Sequence, residues 1–199
     1  MDLCEVYTTV VRRLLHIPPV SDERVAASFA VQCIFLPSFH PESCVSLWMA
    51  GEEAGFTIRS VNSLIWAFFW TMNSRAAGTP DRDRIKPTFA LEQVTCELAV
   101  ACELRHGAEA CRGLRHSRGT GHDGMTVQVE IFDPSIGIEQ FEYWFEPTRD
   151  DPRAELIIAL WSASLAATET DASRKALAPL KLYLGSEGER AANRGPTKG

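Results

Sequence analysis

The chain lacks the features that would place it outside ordinary globular proteins. It has no apolar run of membrane-helix length. Its most apolar stretch, Leu64-Ile65-Trp66-Ala67-Phe68-Phe69-Trp70, falls far short of the roughly 20 residues a membrane helix needs. Acidic residues, Asp2 and Glu5, stand where a secretory leader carries basic ones, so the expectation is a cytoplasmic protein with no membrane partner. Positive charge is scarce: 20 Lys and Arg face 26 Asp and Glu, for a net charge of −6. Duplex-binding surfaces are basic, so nucleic acid is not expected as a partner. The six cysteines form no CxxC pair and read as small buried apolar groups in a reducing compartment. There is no internal repeat, no Walker A or GxGxxG loop and no GxSxG elbow.

What is present is an average globular composition, 45% hydrophobic and 23% charged over 199 residues. That suits one domain with a proper core. Residues 1–184 read as a single α+β domain. Residues 185–199 hold almost no large apolar group and are expected to form a disordered tail. The architecture implied is a mainly antiparallel sheet with two or three helices packed on one face.

Apolar residues at Leu3, Val6, Val10, Val11, Leu14 and Leu15 fit an amphipathic helix, ended by Pro18-Pro19. From Val25 to Leu36 the odd positions Val25, Ala27, Phe29, Val31, Cys33 and Phe35 alternate as in a strand. The even positions Ala30, Ile34 and Leu36 call for partial cover of the second face. Pro37 and Pro41 bracket a loop. Cys44–Met49 and Phe56–Val61, joined by a glycine-bounded turn, predict a hairpin. Leu64–Trp70 predicts a further strand, because aromatics dominate it. Residues 73–87 read as a linker. Leu91, Val94, Leu98 and Ala101 share a helical spacing, predicting a helix over 88–105 with Thr88 as N-cap. Residues 107–124 read as an irregular basic loop. Met125, Val127, Val129 and Ile131 alternate, Asp133–Gly137 turns, and Phe141, Tyr143 and Phe145 alternate back: a second hairpin. A final helix starts near Asp151-Pro152. Its stripe of Leu156, Ile157, Leu160, Trp161 and Leu165 contributes on the order of 10 kcal/mol on burial, before entropy. Leu177–Leu184 extends it.

Reactive side chains concentrate in one stretch: Cys102, His106, Cys111, His116, His122 and Asp123. Cys102 and His106 share a helix face if the helix runs that far. The spacings match no zinc finger or ribbon, so the plain reading is a buried cysteine and exposed histidines, with convergence on a metal as the alternative. Arg112, Arg115 and Arg118, with Gly119 and Gly121, invite a phosphate reading, against an ordinary solvated loop. His122-Asp123 precedes a strand, which rules out the all-helical phosphohydrolases that share the dipeptide. Ser117 and His116 are adjacent and cannot form a triad. Glu52-Glu53 and Asp150-Asp151 are explained by a turn and a helix start. No catalytic, cofactor-binding or metal residue is assigned. Trp144, on the face opposite Tyr143 and Phe145, leaves open an aromatic patch or a homodimer through this hairpin.

The segment Asp123-Gly124-Met125-Thr126-Val127-Gln128-Val129, followed by Phe141-Glu142-Tyr143-Trp144-Phe145-Glu146-Pro147 and an apolar helix, resembles uncharacterised bacterial α+β proteins. Some of these look like the immunity proteins of toxin systems. The resemblance covers residues 122–165 and carries over no catalytic residue. Met125 stands between the Asp-Gly pair and Thr126, and Trp144-Phe145 stands where two tryptophans are usual. It implies a small, acidic, non-enzymatic protein that binds and neutralises a partner, a basic toxin in the specific case. Charge complementarity would speed that encounter. The competing expectation is a metal- or phosphate-ligand-binding domain, or an enzyme, built on residues 102–123.

Overall fold

The computed structural model describes residues 3–66, 87–114, 124–144 and 151–184, and side chains from residue 6 onward. Its frame is one antiparallel sheet. The strands are β1 (Phe29–Pro37), β2 (Ser43–Ala50), β3 (Glu53–Val61), β4 (Phe89–Thr95), β5 (Met125–Asp133) and β6 (Gly137–Trp144), in the order β4-β3-β2-β1-β5-β6. The α+β class is thus as expected. The helices are α1 (Leu3–Leu14), α2 (Leu98–Ala110), α3 (Pro152–Ala167), α4 (Asp171–Leu177) and the short α5 (Lys181–Leu184). None of the described helices is long and apolar enough to cross a membrane.

The odd positions of β1 do what their alternation predicts. Phe29, Val31, Cys33 and Phe35 join Leu47, Phe56, Ile58, Val127 and Val129 in the main core, under α2 and α3. From α3, Leu156, Ile157, Leu160 and Trp161 complete it. The Trp161 Nε1–H donates to the Leu177 carbonyl at 2.9 Å, tying α3 to the C-terminal end of α4. Pro152 and the Asp151 carboxylate, which accepts the Arg153 N–H at 2.9 Å, start α3 as the sequence indicates.

The helices do not all lie on one face. The second face of central strands β1 to β3 is buried too: Ile34, Cys44 and Val61 form a second, smaller core with Val11 and Leu15 of α1, beside buried polar residues. α1 therefore caps the opposite face. Thr8 and Arg12 tie it to Gln128 and Glu130 of β5.

Three local expectations are corrected. Val25 and Ala27 precede β1, and Val25 is 91% exposed. Residues 89–95 are an edge strand rather than the first turns of a helix. Leu91 and Leu98 are exposed, and Val94 pairs across the sheet with Phe56. Thr88 is no N-cap: its N–H donates to Asn62 Oδ1 at 2.8 Å. Ile65 and Trp66 open a helical turn instead of a strand, because the buried Glu42 carboxylate accepts both their N–H groups, at 2.7 and 2.9 Å. Residues 67–70, most of the expected linker, residues 115–123 and the 185–199 tail lie outside the described residues.

Candidate functional site

The cysteine–histidine stretch does not assemble among the described residues. α2 extends to Ala110, so Cys102 and His106 do share a helix, but both face solvent. His106 Nδ1 lies 3.8 Å from Glu109. Cys111 points the other way, into the core, where burial pushes its thiol up to about 11. No group of three or more His, Cys, Asp or Glu among the described residues could hold a metal. His116, His122 and Asp123 lie outside them.

Arg112, the first of the three arginines, is already engaged. It donates to Asp133 Oδ2 at 3.0 Å, and Arg105 approaches the same oxygen at 3.5 Å. Asp133 also accepts from Ser135 Oγ and Ser135 N–H at 2.6 and 2.9 Å. These bonds and the arginine charge hold its carboxyl down at about 2. The cluster locks the β5–β6 turn, so Arg112 is a structural cation.

Among the described residues of the second hairpin no aromatic side chain is fully exposed. Phe141 and Tyr143 are buried in the main core. Trp144 lies on the opposite side, as its place in the alternation requires, and its indole covers Gly124, where a Cβ would come within 2.4 Å of Cζ2. Phe145, the other aromatic of this hairpin, lies outside the described residues.

Polar side chains also cross the face under α1. Register places Thr57, Ser46, Gln32 and Glu130 side by side on β3, β2, β1 and β5. Above them Glu23, just before β1, accepts from Arg59 at 2.9 and 3.1 Å and from Gln32 at 3.3 Å. Gln32 also donates to Ser46 at 3.2 Å. The Glu23–Arg59 pair is buried. Its charges neutralise each other and are closed from solvent, so the network fastens the chain before β1 to the sheet and offers no open nucleophile or base.

Among the described residues a hollow of about 410 Å³ lies between the β3–β4 edge and α4, and an apolar groove of about 210 Å³ runs between α2 and α3. Val100, Leu104, Leu156 and the small residues Gly107, Ala110, Ala159 and Ala163 form its walls. Glu103 and Glu155 stand on its two rims, both exposed, and neither has an ion pair among the described residues. The outer side of α3 continues the apolar surface through the exposed Ile158 and Ala166, with Ser162 between them. No charged residue occurs from Leu156 to Ala167. A solvent-facing helix normally carries charge on its outer face. Beyond its first turn, from Leu156 to Ala167, this one is apolar or small all round.

The inner stripe of this helix is plain in the sequence, whereas the outer one is not. The missing charge over Leu156–Ala167 was the available signal. The partner wall on α2 leaves no local signal, because Leu91 and Val94 fall at helical spacing with Leu98.

No protein-family model, no curated protein and no solved structure matches the chain.

Proposed function

We propose that the chain is a non-enzymatic protein-interaction domain that binds a basic partner, in its most specific form a cytoplasmic immunity protein that neutralises a toxin. The observation that carries this reading is the uncharged outer surface of residues 156–167 of α3 beside an open apolar groove. Water is driven from such a surface when a second protein covers it. The excess of acidic residues, −6 overall, favours encounter with a basic protein and disfavours acidic ones. Tethered carboxylates support the same view. Glu23, Glu42 and Glu92 each bind internal donors and serve the fold.

The test is purification of the tagged chain from its source cell. The expected result is one stoichiometric basic protein, released as salt rises. Co-expression should restore growth to cells in which that protein alone is toxic. Recovery of the chain by itself under gentle, low-salt conditions would remove the proposal.

A further inference from the structure

We propose that the α2–α3 groove receives one helix of the partner, an amphipathic segment with an aliphatic stripe between lysine or arginine flanks. The inference rests on the protein-interaction reading above and assigns its surface and the kind of segment bound.

Gly107 is the first reason. It sits inside α2 and lines the groove. Glycine in a helix interior is unfavourable by roughly 0.5–1 kcal/mol relative to alanine. The fold does not require it: an alanine Cβ would meet only Leu156 Cδ1, at 3.6 Å, an ordinary contact. What a side chain at 107 would take is space in the groove. With Ala110, Ala159 and Ala163 on the same walls, the missing side chain lets another backbone come close.

The second reason is hydrogen bonding. Away from their first and last turns, the backbone groups of α2 and α3 are committed to their own helices. An extended peptide laid in this groove would find no ladder there to pair with. A helix satisfies its own backbone and needs only apolar contact, with its side chains seated between the two host helices.

Charge decides whose helix it is. Glu103 on one rim and Glu155 on the other favour a segment with a cation on each side. In a two-fold contact between copies of this chain, the same acidic rims would meet each other, which is unfavourable. A foreign basic helix fits better than a second copy.

The test places a photo-activatable amino acid at the exposed Ala159 of the full chain in its source cell, and at the exposed Gln140 of β6 as a control. The expected result is an adduct at 159 and none at 140. Mass spectrometry should locate it on a partner segment with aliphatic residues at helical spacing and basic flanks. Its yield should fall about tenfold or more in Glu103→Lys/Glu155→Lys, which reverses two rim charges, and also in Gly107→Leu, which fills the groove. Circular dichroism should show both variants folded. An adduct that survives both variants overturns the inference, as does an adduct with a second copy of the chain. An adduct at 140 alone overturns the groove and leaves the protein-interaction reading standing. No adduct at either position, with no partner on purification, overturns both.

Discussion

Arg59 Nη1 lies 2.9 Å from one carboxylate oxygen of Glu23 and 3.1 Å from the other, with both side chains closed off from solvent. A buried pair of this kind is costly to break from one side, because the remaining charge has no counter-ion. Glu23→Ala should therefore lose about 3–5 kcal/mol of unfolding free energy. Glu23→Leu/Arg59→Met, which removes both charges, should lie closer to wild type. Urea titration of the two variants checks the ordering. A double variant as unstable as the single one would show that the pair itself, and not the stranded charge, holds the loop to the sheet.

A second pair of residues makes a graded test of packing. Gly55 faces Trp48 across β2 and β3, and a Cβ at 55 would stand 2.5 Å from the Val94 carbonyl and 2.6 Å from Trp48 Cζ2. The carbonyl belongs to the sheet and cannot step aside. At Gly124 the nearest contacts are all atoms of one half-buried tryptophan ring, Trp144. Gly55→Ala should cost about 1–3 kcal/mol and Gly124→Ala less. Thermal melts of the two variants give the comparison.

The core contact of α3 is sharper still. Leu160 is fully buried, and Leu160→Asp would place an unpaired carboxylate in the main core. A cost of several kcal/mol is about the stability of a domain this size. The variant should be unfolded by near-ultraviolet circular dichroism. A cooperative melt close to wild type would contradict the placement of α3.

Asp133 gives a pH signature. Its carboxyl is depressed from 3.8 to about 2, chiefly by the Ser135 hydroxyl and N–H, then by Arg112. A depressed carboxyl contributes stability above its ordinary value and loses it as pH falls through the folded one. The contribution should fade between about pH 4 and pH 2. Ser135→Ala should move the Asp133 titration upward, toward the ordinary carboxyl value, as read by NMR.

Thiol labelling separates the cysteines. Cys33, Cys44 and Cys111 are buried, with thiols pushed up by burial, whereas Cys102 is exposed. Under native conditions a maleimide should modify Cys102 quickly and those three slowly, as peptide mapping would show. Rapid labelling of Cys111 would mean that the C-terminal end of α2 is not packed as described.

Sequence pattern was enough where a strand buries one face. β5 and β6 are read directly from Val127, Val129, Phe141 and Tyr143, since period-two alternation has a single meaning there. It failed at β4. Leu91, Val94, Leu98 and Ala101 fall at helical spacing by coincidence, while the exposure of Leu91 and the bonding of Glu92 to the Glu169 and Thr170 N–H groups depend on distant chain. The Glu23–Arg59 pair spans 36 positions and leaves no local trace. The candidate site was half legible. Cys102 and His106 drew attention by their chemistry, whereas the groove is made of alanine, glycine and leucine, which look like core until both helices are placed.

Hydrogen exchange of the complex against the isolated chain tests the central claim most directly. The account predicts that partner binding slows exchange in residues 98–110 and 152–167 and leaves β6 unchanged. Protection on the β5–β6 edge or under α1, with α2 and α3 unaffected, would contradict it.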